Sequence, residues 1–167
     1  MADTAVGPGD LVFDLGAGTG ALTLPLIETG AQVVAIEMHP DRVARLRQQV
    51  DGRAKVVRAD LQDLYLPRRP FRVVANPPFA LTTHLVRTLL ASGSLRSADL
   101  VLQRGAARGL AARPPAPRGP DSNGRAGQRR GRGQSSPRWH LRVGRHLPAQ
   151  AFAVPPSVDC AVLQIRR

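Results

Sequence analysis

Leu11-Val12-Phe13-Asp14-Leu15-Gly16-Ala17-Gly18-Thr19-Gly20 is the stretch on which the fold turns. Five residues, apolar but for one acid, run into three glycines at alternate positions. An apolar run of strand length that ends in glycines reads as a buried strand emptying into a tight turn. The pattern then repeats. A helical period from Ala21 to about Glu28 stops at Gly30, as a C-terminal glycine should stop it. Gln32–Glu37 reads as a second strand, and Asp41–Val50 as a helix behind Pro40, which favours a helix start. Lys55–Arg58 and Phe71–Ala75 follow as strands, Thr82–Ala91 as a helix ending near Gly93, and Ala98–Gln103 as a fifth strand. This alternation calls for an α/β fold, a mostly parallel sheet with helices on both faces.

Beyond Gln103 the period fails. Residues 104–137 are rich in Pro, Gly, Arg and Ser, and only Leu110 interrupts them as a large apolar group. Segment 105–137 is therefore expected to be disordered. Order should return over Trp139–Leu147 and again over Val158–Ile165, with Pro148, Phe152 and Pro155-Pro156 in the loop between. A length of 167 residues suits one domain, 1–167, and 43% hydrophobic content suffices for its core. The apolar runs fall well short of the roughly 20 residues that cross a bilayer. Met1-Ala2-Asp3-Thr4 lacks the basic and apolar regions of a signal peptide, so a cytoplasmic protein without membrane contact is expected. The lone Cys160 can neither close an internal disulfide nor build a metal cluster, so no metal is expected.

Charge is unevenly spread. Of the net +12, residues 1–103 hold eleven basic and ten acidic side chains, whereas 104–167 hold thirteen arginines against Asp121 and Asp159. Such clustering points to a polyanionic partner. A second origin remains open: only Lys55 among 24 basic residues is a lysine, the bias a GC-rich coding sequence imposes without selection for binding.

The candidate chemistry lies where strands end, since ligands of open parallel sheets bind there. Gly16–Ala21 can be parsed as G-x-G-x-x-A, a dinucleotide loop with Glu37 as the ribose ligand. It can equally be parsed as D-x-G-x-G-x-G, a loop for S-adenosylmethionine. A tight turn with no ligand is the third reading. Asn76-Pro77-Pro78-Phe79, after the strand Phe71–Ala75, favours the second. An exocyclic base amine is a poor nucleophile because its lone pair is delocalised into the ring. Acceptance of its two N–H protons by the Asn76 side chain and the Pro77 carbonyl would favour the pyramidal, attacking nitrogen. The prolines stiffen the backbone that holds this carbonyl, and Phe79 can stack on an extruded base.

With these two loops, and with Val33–Glu37, Arg58-Ala59-Asp60-Leu61, Val101-Leu102-Gln103-Arg104 and Phe152 through Pro156-Ser157-Val158, the chain resembles the ribosomal-RNA adenine N6-methyltransferases. It is most similar to the resistance methyltransferases that act on 23S rRNA and protect against macrolides, lincosamides and streptogramins. Asn-Pro-Pro-Phe, in place of the Asn-Leu-Pro-Tyr usual in 16S dimethylases, favours that branch. The resemblance covers roughly Val6–Gln103 and Trp139–Arg167. It implies a Rossmann-like class I methyltransferase fold and an enzyme that mono- or dimethylates N6 of a 23S rRNA adenine. It implies S-adenosyl-L-methionine as cofactor, ribosomal RNA as partner and a monomeric protein. Asp14, Gly16, Gly18 and Gly20 would form the methionine side of the cofactor site. Glu37 would hold the ribose, Met38 would pack on the adenine, and Asp60 and the Leu61 backbone would meet its edge. Asn76, Pro77 and Phe79 would act on the target base, with Asn76 also bordering the cofactor. Relative to the family pattern, the segment ahead of the glycine loop, the C-terminal helical RNA-docking domain and the helix expected within 104–137 are missing. The chain is therefore expected to be truncated at both ends. An inactive remnant, a 16S dimethylase, and another N6-adenine or glutamine methyltransferase are the alternatives.

Overall fold

The computed structural model describes residues 6–116, 139–152 and 154–167. Among them, seven strands form one sheet: β1 Leu11–Leu15, β2 Gln32–Glu37, β3 Lys55–Arg58, β4 Phe71–Ala75, β5 Leu95–Gln103, β6 His140–Leu147 and β7 Cys160–Arg166. Their order is β3-β2-β1-β4-β5-β7-β6. The first five run parallel, while β7 is antiparallel to both β5 and β6. The helices are α1 Thr23–Ile27, α2 Pro40–Val50, α3 Thr82–Ala91 and α4 Arg104–Ala112.

The expected α/β architecture is present, and four of the strands begin and end where the apolar runs do. Strand β5 starts at Leu95, three residues ahead of the expected Ala98, because Leu95 pairs with Phe71 at the start of β4, and β7 spans Cys160–Arg166 in place of Val158–Ile165. Two helices also depart from expectation. Helix α1 starts two residues later than its apolar period, because Pro25 lacks an N–H and its ring would crowd the carbonyl of Ala21. A start at Thr23 places Pro25 in the first turn, where no intrahelical donor is needed. The second is a correction. Part of the segment expected to be disordered, 105–112, is helix α4, whose Ala107 and Leu110 are buried against the sheet. Gly105 and Gly109 mask that helix in the sequence, and packing supplies what propensity does not. Residues 117–137 of the expected disordered segment lie outside the described residues.

The two sheet faces differ. Phe13, Leu15, Phe71, Val73, Leu100, Leu102, Leu163 and Ile165 build the main core on one face, together with Leu85, Val86 and Leu89 of α3. On the other face Val12, Val33 and Val74 are covered by Leu26 of α1. Beyond β4 that second face turns polar. Arg72 bonds Asp10 at 2.9 Å and Ser97 at 3.0 Å, Arg166 bonds Asp99 at 2.6 Å, and Arg142 bonds Gln164 at 2.7 Å. Each buried polar group there gains a charged partner in place of an apolar cover.

Candidate functional site

Strand β1 pairs on one side with β2 and on the other with β4, so the connections leaving its C-terminal end diverge. This switch point opens a crevice that the sheet itself cannot fill. The glycine loop closes one wall. Gly16 and Ala17 both donate to the Ile36 carbonyl, at 2.8 and 2.9 Å, and tie the loop to β2. Gly16 (φ +80°) and Gly18 (φ +58°) occupy the left-handed region that side chains disfavour. The opposite wall is the loop after β4. A Cβ on Gly16 would lie 3.2 Å from Pro78 Cδ and 3.4 Å from Pro77 Cα, so the two loops abut.

A cleft of about 500 Å³ opens between them. Gly16, Glu37, Met38, Asp60, Leu61, Asn76, Pro77 and Phe79 all line it, together with His39, Arg42 and Gln62. Glu37 is buried, and its carboxylate is fixed by the N–H groups of Gly18 and His39, each at 2.9 Å, with the Arg42 guanidinium 4.0 Å away. Asp60 caps the 3₁₀ turn Leu61–Asp63 by accepting from the Gln62 N–H at 2.9 Å. That bond turns Leu61 inward and leaves the second Asp60 oxygen unengaged among the described residues. Met38 (59% exposed) and Phe79 (37% exposed) present large apolar groups at the rim.

An adjoining cleft of about 430 Å³ has Asp14, Gly16, Gly18 and Asn76 in its wall, facing Leu147, Ala151 and Phe152. Gly16 and Asn76 therefore border both spaces. Asn76 is exposed and Pro77 buried. The Pro78 carbonyl accepts from the Leu81 N–H at 3.0 Å, whereas the Asn76 side chain and the Pro77 carbonyl accept no hydrogen bond among the described residues. Two acceptors are thus left pointing to no protein donor beside an aromatic ring.

Asp14 is the electrostatic outlier. Burial pushes its carboxyl up to about 7, against the opposing hydrogen bonds from the Thr23 hydroxyl, at 2.6 Å, and the Thr23 backbone; the nearby Glu37 charge adds to the rise. Gly20 lies in the wall of neither cleft. A Cβ there would come within 2.7 Å of Leu46 Cδ1, so this glycine lets the turn pack on α2.

Sequence reasoning missed Arg42, whose only signal is its place in the helix that follows the acid of β2. It also gave no role to Phe152. The loop that carries Phe152 is pinned by Asp159, which accepts from the Ala149 N–H at 3.1 Å and faces His146 Nε2 at 3.1 Å. The backbone bond from Ala149, then the pairing with His146, holds the Asp159 carboxyl below its ordinary range. No part of this pairing is legible in local pattern. Among the described residues there is no cluster of His, Cys, Asp or Glu able to hold a metal ion, and no helix long and apolar enough to cross a membrane.

Residues 1–119 match the family model described as ribosomal RNA adenine dimethylase. The chain is 32% identical over 157 residues to "rRNA adenine N-6-methyltransferase" of Corynebacterium diphtheriae, covering 93% of this chain and 57% of that protein. It is 33% identical over 168 residues to "Ribosomal RNA small subunit methyltransferase A" of Caulobacter vibrioides, covering 96% of this chain and 61% of that one. The chain thus spans little more than half the length of these curated relatives. Among solved structures, the 23S rRNA methyltransferase ErmE superposes with a TM-score of 0.78 at 24% identity, over 98% of this chain and 63% of the other.

Proposed function

The chain belongs to the ribosomal RNA adenine dimethylase family, and from that premise we propose that its clefts bind S-adenosylmethionine and methylate N6 of an adenine in ribosomal RNA. The observation that carries the reading is the contact of the two loops: Gly16 against Pro77 and Pro78 puts Asn76 on the border between a nucleoside-sized cleft and a second, smaller one.

The residues fit the cofactor on two counts. Gly16 and Gly18 form a cradle that any Cβ would fill or strain, and Asp14 keeps a buried oxygen, Oδ1, with no partner. Glu37 holds the ribose hydroxyls through the lone pairs its backbone donors leave over. Asp60 and Leu61 take the adenine edge, and Met38 packs on its face. Bound S-adenosylmethionine supplies an electrophilic methyl group. The chain's part is to position the acceptor: Asn76 Oδ1 and the Pro77 carbonyl accept hydrogen bonds from the two amine N–H groups, which aligns the nitrogen lone pair, and the methylated nitrogen sheds one proton to solvent after transfer. Phe79 and Phe152 stack on the extruded base, in a geometry set before any reaction.

The target is 23S rRNA, with macrolide-type resistance as the consequence. Asn-Pro-Pro-Phe favours this branch. A 16S target is the second reading, and the small-subunit name of one relative favours it. The test has two arms. Glu37→Ala should weaken S-adenosylmethionine binding by about 1–3 kcal/mol, the range for a lost charged hydrogen bond. Asn76→Ala should abolish labelled-methyl transfer to a 23S rRNA fragment with cofactor affinity nearly unchanged. Labelling of 16S rRNA alone would move the target to the second reading. Labelling of duplex DNA or protein would overturn the substrate class.

A further inference from the structure

The second cleft is closed on one side by Leu147, Ala151 and Phe152, at the end of β6 and in the connection that leads to β7. Phe152 is half-buried and belongs to no strand or helix, so its place is set by hydrogen bonds. Its N–H donates to the Ala149 carbonyl at 3.3 Å, and the Ala151 N–H donates to the Pro148 carbonyl at 2.9 Å, which closes the 3₁₀ turn Ala149–Ala151. The first donor of that turn, the Ala149 N–H, has no partner inside it. Asp159 Oδ1 accepts it at 3.1 Å, while Asp159 Oδ2 faces His146 Nε2 at 3.1 Å. One carboxylate thus bridges the end of β6 and the turn that carries Phe152. Asp159 is the fixed end of this bridge. Its carbonyl accepts from the Arg104 N–H at the start of α4 at 3.0 Å, and Cys160 beside it is buried and paired with Gln103 of β5 and Leu147 of β6. His146 reaches it because β6 carries one residue more than β7 between the pairs Val143–Leu163 and His146–Ala161. Without that bulge Arg145 would oppose Ala161, and His146 would turn to the other face of the sheet.

We propose that Asp159 is a positioning residue for the acceptor base: clamped by His146, it holds the turn Ala149–Ala151 so that Phe152 stands in the wall of the cleft that Asn76 borders. The inference rests on the function proposed above and deepens it by naming what sets this aromatic wall. Its sign is opposite to that of simple electrostatics. A carboxylate close to a polyanion weakens binding, so its removal should strengthen the hold on RNA. A carboxylate that holds a stacking ring in place does the reverse, and its removal should weaken that hold.

The experiment is fluorescence anisotropy of a labelled oligoadenylate titrated with the whole chain. Phe152→Ala should weaken binding by about 5- to 150-fold, the loss of one stacked base. Asp159→Ala should weaken it by a comparable factor in the parent and cause no loss in the Phe152→Ala background, because it acts through that ring. Asp159→Asn keeps an oxygen for the Ala149 N–H and should restore most of the affinity. His146→Ala leaves the Ala149 bond in place and should fall between the parent and Asp159→Ala. Should Asp159→Ala not fold, His146→Ala in the same two backgrounds decides in its place. Stronger binding by Asp159→Ala, an equal loss in both backgrounds, or no loss in Phe152→Ala would overturn the inference. The expected pattern with no methyl transferred to rRNA by the parent would leave the inference standing and overturn the catalytic reading. Transfer by a parent that does not bind oligoadenylate would do the opposite.

Discussion

Asp14 and Glu37 are two acids at the ends of neighbouring strands, and their surroundings treat the same carboxylate in opposite ways. Glu37 has a backbone N–H on each oxygen and a guanidinium nearby, so its charge is matched. Asp14 has one hydroxyl and one bare oxygen, and burial pushes it up to about 7 from an ordinary 3.8. Between those values the folded chain keeps a proton that the unfolded chain has released. Stability attached to Asp14 is therefore present below about pH 4 and is lost as pH rises toward 7. Asp14→Asn carries no charge at any pH. Relative to the parent, it should gain up to about 1.4 kcal/mol per pH unit in that window. Denaturant melts of both proteins at pH 5 and pH 8 measure this, and a constant difference between them would contradict it.

The helices show where local pattern succeeds and where it stops. Helix α3 spans Thr82–Ala91 as its apolar period predicts, because Leu85, Val86, Leu89 and Leu90 recur on one face and point to one core. Helix α4 escapes detection because Ala107 and Leu110 are too few to mark a face among glycines and arginines. It exists because β5, β6 and β7 offer a surface for them. Gly20 is a case of the reverse kind, legible as a ligand-loop glycine yet set by helix packing. Its φ of +89° and the 2.7 Å approach of a Cβ to Leu46 Cδ1 make Gly20→Ala unfavourable twice over. We expect a loss of about 1–3 kcal/mol in folding stability. In a Leu46→Ala background the clash is relieved and the backbone strain stays, so the same substitution should cost less there. Chemical denaturation of the four proteins in that cycle checks it, and an equal cost in both backgrounds would assign the effect to the backbone alone.

Across the chain, charge and sheet order act together. Residues 104–167 carry thirteen arginines against two acids. If that excess engages phosphates, affinity for an RNA fragment should fall steeply with salt, by a slope of about 0.7 in log K per log salt for each single-strand phosphate neutralised. Fluorescence anisotropy between low and physiological salt reads this slope, and a flat response would assign the arginines to coding bias. The sequence alone determined the strands Leu11–Leu15, Gln32–Glu37, Lys55–Arg58 and Phe71–Ala75, and it marked the two loops that carry Gly16 and Asn76. These are local facts: apolar runs of strand length, closed by glycine or proline, need no distant partner to be recognised. The order of those strands, the seating of Gly16 against Pro77 and Pro78, the burial of Asp14 and the place of Phe152 in the same cleft as Asn76 came only with the folded chain. Each depends on residues far apart in sequence, brought together by the hydrophobic core and by strand pairing, and no window of neighbouring residues contains that information.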